Sequence, residues 1–337
     1  MKLLITGGAG FIGSHFVHYW VKNHPSDEIV VLDKLTYAGN LENLSSVKDK
    51  ITFIQGDVAV EADVDGAMNG VDTIVHFAAE THVDRSINDP YIFTRTNMLG
   101  THVLLEAARN ANIKRFHHIS TDEVFGDIAL ESSIKFNEQS PYNPRSPYAA
   151  SKAGSDHLVR SYGETYNLPF TISNCSNNFG TYMHPEKFIP RSIVRLLQGK
   201  NVPIYTPGNQ VRDWLYVDDH CRAIELILEK GTLGETYCIG GMTEEISNLD
   251  VAKKILSIMG LPGDRIEHVT DRPGHDVKYA VDWSKIKTEL GWEPQHSFDE
   301  WLQTTVEWYK GNEAWWKPLA EESEQFYQAK GEKVITS

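Results

Sequence analysis

The 337-residue chain is predicted to adopt an α/β fold, a doubly wound parallel sheet followed by a smaller α/β unit. Three observations predict it. Short β-rich runs alternate with helically periodic segments over the first half. A glycine-rich turn joins the first run to the first helix. After about residue 175, turn-rich stretches such as Pro203–Asn209 and Asp271–Asp276 break that rhythm.

Lys2–Thr6, Glu28–Leu32, Ile51–Gln55, Asp72–Phe77, Arg115–Ser120 and Phe170–Asn174 read as strands. The near-continuous apolar run Thr73–Phe77 suits a strand covered on both faces. Gly10–Asn23, Val60–Asn69, Tyr91–Asn112 and Tyr148–Asn167 read as the intervening helices. Later helices fall near Lys187–Gln198, Val217–Lys230, Leu249–Met259 and Phe298–Lys310. We expect a nucleotide-binding domain over 1–175, a mainly substrate-binding domain over 176–320, and a polar tail over 321–337 that frays.

With 41% hydrophobic and 23% charged residues, the chain can build a sizeable core. No run approaches the ~18 apolar residues that span a bilayer. The first eight residues lack the apolar stretch of a secretory signal, so a cytoplasmic location and no membrane partner are expected. A net charge of −14 opposes a nucleic-acid partner, although a local site can still take a phosphate-bearing small molecule. Cys175, Cys221 and Cys238 form no Cys-x-x-Cys pair and read as structural thiols of a reducing compartment. His15 and His18 have a spacing that can bind metal but no further ligands nearby, so no metal site is expected. Trp315 and Trp316 read as packing residues.

Gly8-Ala9-Gly10-Phe11-Ile12-Gly13 fits Gly-x-Gly-x-x-Gly at a strand-to-helix junction, the dinucleotide fingerprint of a Rossmann-type sheet. The early glycines allow a tight turn and close approach to a pyrophosphate favoured by the helix N-terminus, and the last lets helix and strand pack. Asp33, twenty residues past Gly13 at the end of the second strand, can accept from ribose hydroxyls. Its carboxylate would oppose a 2′-phosphate, so NAD is favoured over NADP.

Tyr148 and Lys152 are four apart, on one face of a helix. An ammonium beside a phenol stabilises the phenolate, which suits the Tyr to general-base work. Together with the glycine loop, this pair resembles the extended short-chain dehydrogenase/reductase superfamily. Asp122 and Glu123 are adjacent carboxylates after the fifth strand, where doubly wound sheets place ligands. The blocks Ala78–Ser86, Ile119–Gly126, Asn174–Gly180, Arg212–His220 and Asp271–Asp276 resemble dTDP-glucose 4,6-dehydratases in the right order. Ala149, where that family often has Ser, and Thr181, where it often has Pro, are minor departures.

The resemblance implies NAD-dependent loss of water from dTDP-glucose, giving a 4-keto-6-deoxy sugar nucleotide for deoxysugar (such as rhamnose) biosynthesis. It implies that Thr121 meets the hexose 4-hydroxyl region, where simpler relatives use Ser, and that Tyr148, helped by Lys152, takes the hydroxyl proton. Glu123 would then remove the C5 proton and Asp122 protonate the leaving C6 hydroxyl. It assigns the cofactor to Gly7, Gly10, Phe11, Ile12 and Gly13, to Asp33, Lys34 and Thr36, and to Asp57 and Val58 at the adenine. Ala78, Ala79, Asn97 (at the nicotinamide ribose), Tyr148, Lys152 and Asn178 complete that set. Substrate falls to Thr81, Thr121, Asn177, Lys187, Phe188 and Pro203, and to Tyr205, Arg212, Asn248, Arg272 and His275, with both arginines suited to a diphosphate. It also implies a homodimer built by helices beside that of Tyr148. Competing readings are a 4-epimerase, which needs no Asp122–Glu123 pair, a dehydratase of another nucleotide sugar, and a noncatalytic NAD sensor.

Overall fold

A computed structural model describes residues 1–241 and 246–330. Its centre is a seven-stranded parallel sheet. Six strands come from the first half: β1 (Lys2–Thr6), β2 (Glu28–Asp33), β3 (Thr52–Gln55), β4 (Thr73–His76), β5 (Arg115–Thr121) and β6 (Phe170–Cys175). Thr236–Ile239 is the seventh, added beside β6. The residue-175 boundary therefore divides the sequence but not the sheet. Along the sheet the order runs Thr236–Ile239, β6, β5, β4, β1, β2, β3, so the winding reverses between β1 and β4. Ligands of such sheets lie beyond the strand C-termini at that reversal.

Successive side chains of a strand point to opposite faces, and here both faces are covered. Leu3 and Ile5 of β1 join one apolar cluster with Phe16 and Trp20 of the first helix and Ile224 of the Val217–Lys230 helix. Leu4, between them, packs on the other face with Leu104 and Val159. The latter two lie on the helices Gly100–Ala111 and Pro147–Tyr166.

Three expectations need correction. The helix read over Tyr91–Asn112 is interrupted by a wider π-helical turn at Thr94–Leu99, between Pro90–Phe93 and Gly100–Ala111. Pro147–Tyr166 begins before Tyr148, because Ser146 caps it by accepting from the Ala149 N–H (3.1 Å) and Pro147 occupies the first turn. Residues 321–330 do not fray but complete the helix Glu313–Lys330, with Ser323 and Tyr327 buried and Glu324 ion-paired to Arg195 at 2.8 Å. The remainder of the expected tail, 331–337, lies outside the described residues. Trp316 is buried, and the Trp315 indole donates to Asn43 (2.8 Å), both in packing roles. The three cysteines are free and buried. Among the described residues no helix is long and apolar enough to cross a membrane.

Candidate active site

Two adjoining cavities, about 280 and 160 Å³, open beyond the strand C-termini. Thr81, Glu123, Asn177, Met183, Glu186 and Lys187 line both and form their common wall.

The larger cavity starts at the glycine turn. Gly7 has φ +71°, and a Cβ there would lie 2.6 Å from the backbone N of Ala78, so only glycine fits. A Cβ on Gly13 would lie 2.2 Å from the Gly7 carbonyl oxygen, the measure of how closely helix and turn approach. Gly10, Phe11 and Ile12 complete this wall, and the first turn of the helix carries no acidic residue to repel a phosphate. Asp33 faces the same cavity, its carboxylate accepting from the N–H groups of Ala9 (2.9 Å) and Leu35 (2.8 Å). It thereby ties the glycine turn to the end of β2. Lys34 and Thr36 also line the cavity, as do Asp57 and Val58. Burial opposes ionisation of Asp57, but the Ala59 N–H, Arg95 (2.6 Å) and Lys34 (3.0 Å) outweigh it and hold the carboxyl below its usual range. Ala78, Ala79 and Asn178 line the opposite side.

Asn97 does not reach the cavity. It sits in the π turn with its side chain buried, accepting from Glu80 N–H (2.9 Å) and donating to the Glu80 carbonyl (3.0 Å) and Ser151 Oγ (2.8 Å). Its amide locks the Ala78–Glu80 loop against the Tyr148 helix, a supporting position rather than the expected place at the ribose.

Thr121, Glu123, Tyr148 and Lys152 meet at the inner end of this cavity. β5 ends on Thr121, whose Oγ1 accepts from the Glu123 N–H (3.3 Å) and caps the short 3-10 turn Asp122–Phe125. That turn sends the adjacent carboxylates to different surroundings. Asp122 is buried behind the cavity wall, and among the described residues its Oδ2 has no hydrogen-bond partner. Burial, then the charges of Glu123 and Asp213, push its carboxyl well above the usual range. Glu123 is also raised by burial, but Arg272, Arg212 and Lys187 oppose the rise and favour its charged form.

Lys152 donates to the Ile119 carbonyl (2.7 Å), and burial lowers it to about 8. Tyr148 stands against the expectation of a lowered phenol. Burial, then Glu123, push it well above its ordinary value, with the Thr121 hydrogen bond pulling the other way. The protein by itself therefore keeps the phenol protonated.

The smaller cavity is cationic on one side. Arg212 donates to the carbonyls of Val211 (2.8 Å) and Asp276 (2.9 Å) and lies over the Tyr279 ring. Its hydrogen bonds go to neutral carbonyls, while its charge faces Glu123 and Asp276. Arg272 meets Asp84 at 3.2 Å, and Lys187 donates to the Thr81 carbonyl (3.0 Å). Phe188, Pro203, Tyr205, Asn248 and His275 complete the expected set on these walls. Sequence reasoning missed Tyr327, which lines this cavity from the terminal helix with its hydroxyl near His82 Nε2 (3.1 Å) and the Glu186 carbonyl (3.2 Å). It also missed Glu186, shared by both cavities. No local pattern marks either residue. His15 meets the Thr181 carbonyl (3.0 Å) and His18 the Asn43 carbonyl (2.7 Å) as ordinary helix residues.

The family model described as GDP-mannose 4,6 dehydratase matches residues 4–305. A curated dTDP-glucose 4,6-dehydratase of Mycolicibacterium smegmatis is 50% identical, over 98% of this chain and 100% of that one. The solved structure of the dTDP-glucose 4,6-dehydratase DesIV from Streptomyces venezuelae, with NAD bound, is 48% identical, with TM-score 0.92 over 95% of this chain and 100% of that one. A UDP-glucose 4-epimerase from Thermotoga maritima shares the scaffold at 30% identity, with TM-score 0.85 over 92% of this chain and 99% of that one. The chain belongs to the dTDP-glucose 4,6-dehydratase family.

Proposed function

We propose that the protein dehydrates dTDP-glucose to dTDP-4-keto-6-deoxyglucose, with NAD held in the larger cavity and the nucleotide in the smaller. One observation carries this reading over an epimerase: two adjacent carboxyls follow β5 beside Tyr148, Glu123 on the wall common to both cavities and facing Arg272, Arg212 and Lys187, Asp122 buried behind it, a pair that loss of water requires and epimerisation does not. The glycine turn, closed to any Cβ at Gly7 and Gly13, and Asp33 at the end of β2 fit a pyrophosphate and a ribose.

Held by the glycine turn and Asp33, NAD would supply reversible hydride chemistry between C4 and C6 with no net consumption. Thr121 orients the hexose 4-hydroxyl, and Tyr148 takes its proton in the phenolate form, which the Thr121 hydrogen bond favours against burial and which a charged Lys152 would favour further. The C4 ketone acidifies C5–H, which Glu123 removes in its charged form. Asp122, held protonated, delivers its proton to the C6 hydroxyl, which departs as water. Arg212, Arg272 and Lys187 fix the diphosphate, while Tyr205, Asn248 and His275 surround the nucleoside.

The product serves deoxysugar synthesis. The buried free thiols support a cytoplasmic setting. Tyr91, Leu99 and Tyr166, all exposed on the helices beside and including that of Tyr148, support a homodimer built there. Incubation with a panel of nucleotide sugars, followed by mass spectrometry, tests the activity. Loss of one water from dTDP-glucose is expected; unchanged mass with a new stereoisomer would mean an epimerase.

A further inference from the structure

Behind Lys152 lies a buried polar cluster, centred on Asp156 and His118 and reaching the larger cavity only at its edge, with no task in the steps above. Asp156 follows Lys152 by one helical turn and is fully buried. Its Oδ2 accepts from Ser120 Oγ (2.8 Å), the Tyr142 hydroxyl (2.7 Å) and Asn174 Nδ2 (3.4 Å). Its Oδ1 lies 3.2 Å from Nε2 of His118, and the same ring nitrogen lies 3.4 Å from Nζ of Lys152. A neutral ring carries one proton or one lone pair on that nitrogen, so its N–H donates to Asp156 and Lys152 meets the carboxylate by charge across the ring edge, not by a hydrogen bond to it. Among the described residues the next cation is Arg160, one turn past Asp156, which meets Asp156 through the Tyr142 hydroxyl and donates to Thr236 Oγ1 (2.8 Å), on the far side from Lys152. His76 from β4 lies beside His118, and burial holds both rings below their ordinary range, hence neutral near pH 7. His117 is likewise held down by burial, and the Cys175 thiol on β6 is pushed up to about 12 by burial. An isolated ammonium buried this completely would shed its proton; one with a fixed counter-charge need not.

We propose that the Asp156 carboxylate, oriented by His118, holds Lys152 charged one turn after Tyr148, so the oxidation step depends on a carboxylate that touches neither substrate nor cofactor. Asp156 is a positioning residue, acting only through Lys152. The hydrogen bond from His118, the charge of Lys152 and the hydrogen bond from Tyr142 outweigh a burial that would protonate it and hold its carboxyl below the usual range. The kinetic arm of the inference rests on the dehydratase reading; the labelling arm does not.

Asp156→Asn keeps the shape and an acceptor oxygen but removes the charge. With Lys152 titrating near 8 in the intact protein, losing the counter-charge should move it down by about one pH unit or more. Formation of NADH absorbance on mixing with substrate should then fall about five-fold or more near pH 8 yet stay within about 20% near pH 6, with KM little changed. Competitive labelling of Lys152 by an amine reagent across pH, read by mass spectrometry, should show the same downward shift without any substrate. A uniform loss at every pH, or an unmoved labelling midpoint in the folded variant, would overturn the proposal. If the variant does not fold, the intact protein still decides, since a Lys152 labelling midpoint below about 6 would mean that nothing sustains its charge. An intact protein that leaves dTDP-glucose unchanged but labels as expected would remove the dehydratase reading alone.

Discussion

Replacing Asp122 by Asn and Glu123 by Gln separates two neighbouring carboxyls by task. Each change is nearly isosteric, so packing is preserved and the effect lies in proton transfer. Asp122 is the group that burial, Glu123 and Asp213 hold protonated; Glu123 is the one that Arg272, Arg212 and Lys187 favour as the anion. Loss of either acid or base help is worth about 10²–10⁴ in rate, or about 2.7–5.5 kcal/mol of barrier. Asp122→Asn should still oxidise C4 and exchange the C5 proton with solvent, failing at water loss. Glu123→Gln should oxidise C4 but show little C5 exchange. Deuterium uptake by mass spectrometry, with NADH absorbance for the first step, reads both. A C6-fluoro substrate expels fluoride without needing a proton, so it should restore elimination in Asp122→Asn and not in Glu123→Gln. The pH sign follows from the raised Asp122 carboxyl: the acid form persists above the usual carboxylate range, so elimination should decline as pH climbs through the folded-state value rather than through the ordinary carboxylate range. Equal fluoride rescue of both variants would refute the assignment.

Three further outcomes are expected. Asp33→Ala with Lys34→Arg should weaken NAD binding about tenfold or more, about 1.4 kcal/mol, and admit NADP; unaltered NAD affinity by titration calorimetry would remove the ribose assignment. Tyr148→Phe should fold normally yet form no NADH absorbance and no C5 exchange, since no ketone appears; persistent exchange would contradict the order of steps. Gly13→Ala places a Cβ 2.2 Å from the Gly7 oxygen, so the glycine turn must shift, costing about 1–3 kcal/mol in urea unfolding together with cofactor affinity.

Most of the sheet and the glycine turn were legible because they are local. A strand followed by Gly-x-Gly-x-x-Gly, an acid twenty residues on, and a Tyr and Lys one helical turn apart each declare themselves within a short window. All the residues assigned to the nucleotide do line the cavities, but a resemblance of whole blocks, not periodicity, singled them out. The lowered phenol expected of Tyr148 failed for a related reason. A neighbouring Lys can be read from spacing, whereas burial and the approach of Glu123 cannot.

The amino-acid sequence by itself determined the parallel sheet, the cofactor loop and the order of the chemistry-bearing residues, since each rests on backbone propensity or on spacing within a turn or two. Only the tertiary structure decided the seventh strand, because Thr236–Ile239 is four residues long and owes its existence to pairing with β6. It alone turned Asn97 away from the cavity, through a π turn that shifts side chains off the α-helical face. It also brought Tyr327 to the nucleotide wall and set His118 between Asp156 and Lys152. Those contacts join segments far apart in the chain, and their energies exist only once the intervening chain has folded.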